Sequence, residues 1–368
     1  GLIKKLRGGL FSMKIFEMME KEGHEQVTFM QEKTSGLKAI ICIHDTTLGP
    51  AVGGCRMWDY DTEDDALMDG LRLSKGMTYK CAAAGVDHGG GKTVIWGDPA
   101  KDKSEALFRA LGRFVDGFKG RYSTGTDVGT TYDDFVIASK ETEFVGALPV
   151  EYGGGGDSSI ITAFGAWKGI KAAAKVKFGS DSLEGLKVAV QGVGKVGGKL
   201  VGHLIDEGAE VVIADVVEDY INEMTEKYDV EVVSPDEILF QECDILSPNA
   251  LGAIINDETI DKLKCKVIAG AANNQLARPE HGDMLEEKGI FYAPDYVVNS
   301  GGLIQVADEL YPGGYNKDRA FRHASQIYNW VLEIAEMAEE ENIPTYQAAD
   351  KMVENRIESV AQVKRIHK

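Results

Sequence analysis

The sequence predicts an α/β protein of two domains, and three observations carry that prediction. The chain has 368 residues, and at roughly 150 residues per domain that length suggests about two. Apolar runs alternate with helical stretches through the second half, the pattern of a parallel sheet covered by helices on both faces. Between two stretches of different texture lies Tyr152–Asp157 (YGGGGD), whose four consecutive glycines read as a hinge or linker. The expected domains are therefore residues 13–150 and 151–342. Residues 1–12 (GLIKKLRGGLFS) read as an added leader, because Met13-Lys14 looks like a natural start.

The elements follow in order. Val27–Met30 and Leu37–His44 (LKAIICIH) read as strands, then a polar break leads to Pro50. Residues 61–79 read as a helix, with Ala66, Leu67, Leu71, Leu73 and Met77 on the apolar side and acids in the first turn. Gly89-Gly90-Gly91 leads into a short β-rich run, Thr93–Trp96. Residues 102–118 carry Ala106, Leu107, Ala110, Leu111 and Phe114 at helical spacing. In the second half, Lys187–Gln191 is a buried strand, Val196–Glu207 a helix closed by Gly208, and Glu210–Asp215 the next strand. Short strands fit at 231–233, 243–247, 266–270 and 290–292. Two closing helices fit at 318–341 and 345–361, separated around Pro344.

Composition narrows the function. Apolar residues are 43% and charged residues 27%, the balance of a soluble globular protein, and the net charge is −19. The first twelve residues carry Lys4, Lys5 and Arg7 and no acid, so the body is more acidic still. An acidic body without a basic stripe argues against nucleic acid and against anionic membrane surfaces. No apolar run approaches the roughly 18 residues of a membrane span. Five scattered cysteines without a C-x-x-C read as reduced structural thiols, which fits a cytoplasmic protein. Neither H-x-x-x-H nor H-E-x-x-H occurs, so no metal site is expected.

Gln191–Gly197 reads QGVGKVG, a G-x-G-x-x-G made by Gly192, Gly194 and Gly197. It follows an apolar strand, opens a helix, and is followed by an acid, Asp215, at the end of the next strand. That context is the dinucleotide fingerprint of a Rossmann-type domain. The first glycine permits the tight turn, the second lets pyrophosphate approach the backbone, and the third lets helix and strand pack closely. The helix N-terminus stabilises the phosphate charge. Asp215 would accept from the adenosine ribose hydroxyls and repel a 2′-phosphate, which favours NAD over NADP. Gly91-Lys92-Thr93 resembles the end of a P-loop, but the pattern needs glycine at Val86, so a triphosphate site is not expected.

Lys80 and Lys92 stand in small, apolar segments, GMTYKCAAAG and HGGGKTVIW. One such lysine alone reads as a surface residue at the end of an element. Two across a triple glycine suggest cations crowded in an apolar cleft, where a depressed pKa suits general base work. Asp127, in TGTDVGT, could reach a bound ligand or could cap a turn before Gly129.

These residues bring a family into view. LGPAVGGCRMW (48–58), GMTYKCAAA (76–84), GGGKT (89–93), TGTDVGTT (124–131), the Gly192–Gly197 turn, AANNQL (271–276) and APDYVVNSGGLIQVADELY (293–311) occur in order. The chain resembles the glutamate/leucine/phenylalanine/valine dehydrogenase superfamily over essentially all of 13–368. The resemblance implies an N-terminal α/β substrate and oligomerisation domain and a Rossmann-type NAD-binding domain, with a cleft between them. A last helix, about 343–368, is implied to pack back on the first domain. Lys80 would grip the substrate carboxylate, Lys92 act as catalytic base and Asp127 shuttle the amine proton. Asn299 would orient substrate and nicotinamide, with Asn273, Asn274 and Ala271 near the cofactor. Gly53, Gly54 and Met77 join the substrate site; Val193, Lys195, Val196, Gly198, Val216, Ser159 and Thr162 join the cofactor site. Homo-oligomers from dimer to octamer occur in the family.

The same resemblance speaks to the substrate. Glutamate-specific members place lysine where this chain has Val52, so a charged side chain would lack its partner. Gly125, in TGTD, and Leu303 follow the phenylalanine-type pattern, as do Gly54-Cys55-Arg56, Gly156–Ser159 and Leu303–Gln305. Ile161 and Gly155 depart from it. Val306 completes the pocket. The implied activity is NAD-dependent, reversible oxidative deamination of L-phenylalanine and other large hydrophobic amino acids to the 2-oxo acid and ammonia. Alternatives are a leucine or branched-chain dehydrogenase and a non-catalytic NAD-binding sensor, which need not keep Lys80, Lys92 and Asp127 together. A 2-hydroxy-acid dehydrogenase would use a histidine base, and no histidine here sits in a comparable motif.

Overall fold

The computed structural model describes residues 14–366, so the expected leader at 1–12 lies outside the described residues. The chain divides into two compact units. One takes the chain through Thr78 together with His88–Val145; the other takes Tyr79–Asp87 and the chain from Gly146 onward.

The first unit is built on a mixed sheet. After α1 (Ile15–Glu22), β1 (Gln26–Glu32) pairs antiparallel with β2 (Leu37–Asp45). β3 (Ala51–Trp58) is followed by α2 (Glu63–Ala83), which begins in this unit and ends in the other. β4 (Gly89–Trp96), α3 (Glu105–Asp116), β5 (Tyr122–Thr126) and α4 (Tyr132–Ala138) complete it. Among the described residues the sheet order is β1-β2-β4-β3-β5, with β3 parallel to both β4 and β5. α2 starts on Glu63, Asp64 and Asp65, acids that complement the helix dipole, and Thr62 Oγ1 accepts from Asp65 N at 3.1 Å. Its Ala66, Leu67 and Leu71 close over Ile40, Cys42 and Val94. On α3, Leu107, Phe108, Leu111 and Val115 are buried.

The triple glycine lies inside β4 rather than before it. A Cβ on Gly90 would stand 2.2 Å from Thr78 N of α2, so only glycine lets the helix cross the strand this closely.

The second unit holds a parallel sheet. α5 (Ser159–Phe178) precedes β6 (Lys187–Gln191), α6 (Lys195–Asp206), β7 (Glu210–Ala214), α7 (Glu218–Lys227) and β8 (Glu231–Val232). Then come β9 (Ile245–Pro248), β10 (Val267–Ile268), α8 (Glu280–Glu287), β11 (Phe291–Tyr292), α9 (Asp295–Val298) and α10 (Gly301–Glu309). α11 (Lys317–Ala324), α12 (Ile327–Glu341) and α13 (Thr345–Ile366) end the described chain. The strand order is β11-β10-β9-β6-β7-β8, every pairing parallel. The chain runs outward from β6 to β8, then returns to lay β9 on the other side. That reversal makes a topological switch point beside β6, the Rossmann arrangement.

α5 is one of several elements the sequence reading leaves unnamed, β3 and β5 among them. α5 buries Ile161, Ala163, Ala166, Ile170, Ala172, Ala173 and Ala174, while its exposed side mixes lysines with Ile160 and Val176, so apolar and polar residues do not separate into a clear helical period. The first of the two expected closing helices is divided at Ser325-Gln326 into α11 and α12. α13 is tied to the segment 79–87. Arg356 donates from Nη1 to Ala82 O (2.8 Å) and from Nη2 to Val86 O (3.2 Å), and Tyr79 Oη donates to Glu354 Oε1 (2.9 Å). The cysteines are all free and buried. Among the described residues no helix is long and apolar enough to cross a membrane.

Candidate active site

In the first unit, β4 carries Lys92 into the middle of the sheet, in register with Cys42, where the side chain is only 6% exposed. A buried ammonium needs a partner, and Asp127 Oδ2 lies 2.7 Å from its Nζ. Asp127 stands just past the end of β5. Its amide donates to Thr130 Oγ1 (3.0 Å), and that hydroxyl donates to Cys55 O (2.9 Å), which pins the turn to β3. Burial pushes the Asp127 carboxyl up, but the Lys92 ammonium and then the Arg56 guanidinium outweigh it and hold it below the usual carboxylate range.

Gly54 makes room for this pair, and Gly53 for the backbone of the neighbouring strand. A Cβ on Gly53 would lie 1.7 Å from Gly91 O. One on Gly54 would lie 2.9 Å from Asp127 Cβ and 3.4 Å from Lys92 Nζ. Gly54 is directly opposite Gly125 in the β3–β5 register, and paired residues of parallel strands face the same side. Val52, two residues before Gly54 and 2% exposed, shares that side. Gly54 thus borders the Lys92–Asp127 pair, with Gly125 and Val52 on the same side of the sheet. Met77 is half-buried on α2.

The second unit carries Lys80, near the end of α2, and Asn299, just past α9. Lys80 is half-buried, and its charge acts on Asp295. Burial raises the Asp295 carboxyl, while backbone bonds from Gln275 and Tyr296 and the Lys80 charge pull it back. Asn299 is 5% exposed; its Nδ2 donates to Asn273 Oδ1 at 2.8 Å, and among the described residues its buried Oδ1 has no hydrogen-bond partner. Asn274 holds a positive φ of 52°. Ala271 N donates to Asn249 Oδ1 at 3.0 Å. On α10, Leu303 is buried and Val306 half-buried.

The glycine turn joins β6 to α6 at the switch point, and its three glycines have three separate reasons. Gly192 has φ +83°, and a Cβ there would lie 2.5 Å from Ala250 Cβ. Gly197 would put a Cβ 1.9 Å from Gly192 O, so helix and turn meet backbone to backbone. Gly194 is different: a Cβ would meet only the Tyr220 ring, at 3.5 Å, among the described residues. Gly194 is also the N-cap of α6, with no side chain to occupy the first amides of the helix. An open cradle at a helix N-terminus and an orphaned amide oxygen on Asn299 are what a dinucleotide with a carboxamide head would fill.

Other expected cofactor residues have internal duties. Asp215 accepts from Val193 N through Oδ2 (2.8 Å) and from Val217 N through Oδ1 (2.9 Å), which leaves further acceptor capacity on both oxygens. Val216 is 84% exposed beside it. Ser159 Oγ donates to Asp157 Oδ1 (2.6 Å) and Thr162 Oγ1 to Ser158 O (2.8 Å). Gly198 packs on Val193 O, and Lys195 and Val196 form the first turn of α6. Among the described residues no cluster of three or more His, Cys, Asp or Glu could hold a metal.

The structure adds residues that the sequence reading gave no role. Arg56 reaches Asp127, Asp69 braces Arg56, and Tyr60 in turn holds Asp69. Arg56 and Asp69 lie thirteen positions apart on a strand and a helix, so no spacing rule joins them. Glu309, at the end of α10, accepts amides from Ala147 (2.7 Å) and Gly155 (2.8 Å) and so ties down the glycine-rich break.

A Rossmann sheet with its glycine cradle, together with a buried lysine–aspartate pair, defines an oxidoreductase of the dehydrogenase class. Comparison with known proteins gives the family. Residues 22–144 match the Glu/Leu/Phe/Val dehydrogenase dimerisation domain, and residues 213–364 match the Glutamate/Leucine/Phenylalanine/Valine dehydrogenase domain. The chain is 56% identical to leucine dehydrogenase of Thermoactinomyces intermedius over 352 residues, 96% of each chain. It is 51% identical to phenylalanine dehydrogenase of the same organism over 354 residues, again 96% of each. The crystal structure of L-tryptophan dehydrogenase from Nostoc punctiforme superimposes with a TM-score of 0.86 at 44% identity, covering 95% of this chain and 99% of that one. The chain belongs to the Glu/Leu/Phe/Val amino-acid dehydrogenase family.

Proposed function

We propose that the protein catalyses NAD-dependent, reversible oxidative deamination of a large hydrophobic L-amino acid, with phenylalanine preferred, giving the 2-oxo acid and ammonia. The observation that carries the reading is the Lys92–Asp127 pair, buried and 2.7 Å apart beside Gly54 and Gly125. NAD, held by Gly192–Gly197, Asp215 and the Asn273–Asn299 pair, supplies the hydride acceptor when bound. Lys80 binds the substrate carboxylate. Asp127 holds the proton of the substrate amine. Lys92 takes a proton from the attacking water and returns it as ammonia leaves. Val52 in place of a cation disfavours an acidic side chain, and the paired glycines leave space for a ring. The match to the dimerisation domain supports a homo-oligomer, placed in the cytoplasm, with residues 13–150 for substrate and assembly and 151–342 for cofactor.

A second reading is a leucine dehydrogenase, favoured by the 56% identity to the Thermoactinomyces enzyme of that name. One experiment separates the two. NADH formation is followed with phenylalanine, leucine and glutamate in parallel, on the parent and on Lys92→Ala. Phenylalanine-led turnover that disappears in the variant supports the full reading. Leucine-led turnover keeps the chemistry and overturns the pocket assignment. Near-parental turnover by Lys92→Ala refutes the base.

A further inference from the structure

The Lys92–Asp127 pair has a third member. Arg56 Nε lies 3.1 Å from Asp127 Oδ2, the oxygen that Lys92 Nζ meets at 2.7 Å. The other arm of the guanidinium, Nη1, donates to Asp69 Oδ2 at 2.9 Å. Tyr60 Oη donates to that same Asp69 oxygen at 2.7 Å, and Arg72 Nη2 donates to Asp69 Oδ1 at 2.8 Å. Asp69 is therefore held on both oxygens, with a side chain 15% exposed. Along β3, Arg56 follows Gly54 by two residues and shares its side of the sheet.

We propose that Arg56, braced by Asp69 and Tyr60, is a positioning residue that fixes the Asp127 carboxylate in its working orientation beside Lys92. The proposal rests on the reading above, in which Asp127 handles the amine proton. A guanidinium is planar and rigid, so gripping Asp69 with one arm sets where the other arm points. Its charge is also permanent. Lys92 gains and loses a proton during the proposed cycle, so its hold on Asp127 varies, whereas that of Arg56 does not. A lysine at position 56 would keep the charge but could not span both carboxylates in one plane.

The groups facing Asp127 are Lys92 from β4, Arg56 and the Cys55 thiol from β3 and, behind Arg56, Tyr60 and Asp69. Burial drives the Cys55 thiol far above its ordinary range, so it contributes no charge near neutrality. Arg56 is thus the second cation on the carboxylate. Its removal raises the pH at which Asp127 takes up a proton, because an opposite charge favours the ionised form.

The test uses the full chain with Arg56→Gln, Arg56→Lys, Asp69→Asn and Asp127→Asn. kcat and KM for deamination are measured across pH, with NADH binding and thermal melting as checks of folding. Arg56→Gln is expected to lose roughly tenfold or more in kcat, since small misplacements of a reacting group cost that much. Its acid limb should move up by about one unit. Arg56→Lys should return the acid limb to its parental place while kcat stays low, and Asp69→Asn should resemble it. Arg56→Gln with parental kcat and acid limb overturns the proposal. So does a loss of kcat in Arg56→Gln with the acid limb unmoved, which is what structural damage alone would give. If Arg56→Gln does not fold, Arg56→Lys and Asp69→Asn decide: parental kcat in both overturns it. Parental turnover by Asp127→Asn refutes the role of Asp127 itself and removes what Arg56 would position.

Discussion

Replacing Gly194 by alanine separates cofactor binding from folding, because the three glycines of the turn fail in different ways. Among the described residues a Cβ on Gly194 meets only the Tyr220 ring, at 3.5 Å, an ordinary contact, and its φ of −69° lies outside the left-handed region that demands glycine. The new methyl therefore costs the protein little. It restricts the unfolded chain, worth about 0.4–1 kcal/mol, so stability should change by no more than about 1 kcal/mol. On the proposed reading the methyl stands where pyrophosphate would approach the backbone. Forcing such a group into a closed contact costs about 1–3 kcal/mol, or roughly 5- to 150-fold in Kd. Gly197→Ala is the contrast. Its Cβ would lie 1.9 Å from Gly192 O, a separation that must open to at least 3.0 Å, so turn and helix have to part. That variant should lose both stability and binding. NADH titration by fluorescence and thermal melting read the two quantities separately. Parental NADH affinity in Gly194→Ala would refute the cradle, and a melting loss equal to that of Gly197→Ala would refute the open space above Gly194.

Three further outcomes are expected. Asp215→Asn should lower the NAD/NADP preference by roughly tenfold or more, since the charge that repels a 2′-phosphate is gone; an unchanged ratio of kcat/KM values would count against it. Gly125→Ala adds a methyl beside Gly54 and should reduce turnover of phenylalanine more than of leucine, within the roughly 10–200-fold that one carbon is worth; an unchanged substrate ratio would show that Gly125 does not border the side chain. Glu309→Gln turns an NH₂ toward amides that Ala147 and Gly155 now donate, which should cost about 1–3 kcal/mol in urea denaturation. Burial raises Glu309 above its ordinary 4.5 against the pull of those amides. Its contribution is thus fully present below pH 4.5 and lost as pH rises through the folded value, and the variant should lack that slope.

Much of the site is legible in the sequence because its residues are constrained locally. The Gly192–Gly197 turn reads correctly as a strand–turn–helix junction because a tight turn, an open approach and a close packing each demand glycine at a fixed offset. Lys92 stands out because lysine seldom occupies an apolar run, and its side chain is indeed 6% exposed. Other features depend on contacts between distant residues. β3 escapes a periodicity reading because AVGGCRMW has two glycines where apolar side chains would mark a strand, and their absence is what admits Asp127 and Gly91. The expectation that Lys92 would be crowded by a cation missed Asp127 as its direct partner, for nothing in the spacing brings the end of β5 to the middle of β4. α5 hides for a different reason: Ile160 and Val176 share its exposed side with lysines, which blurs the pattern that would announce it.

Substrate choice shows how far overall similarity reaches. Identity to the leucine enzyme of Thermoactinomyces is 56% and to its phenylalanine enzyme 51%, while the phenylalanine enzyme of Lysinibacillus sphaericus stands at 54%. Such figures sum over core, turns and surface, most of which serve the fold that all these enzymes share. A side-chain preference is set by a few positions, since one methylene changes discrimination by about 1–3 kcal/mol. On the proposed reading three such positions are Val52, Gly54 and Gly125, which lie on one side of the sheet that carries Lys92. Val52 lacks the charge an acidic substrate needs, and Gly125 lacks the methyl that would crowd a ring. Under the proposed reading these three outweigh a difference of a few per cent over some 350 residues, none of whose positions need border the substrate.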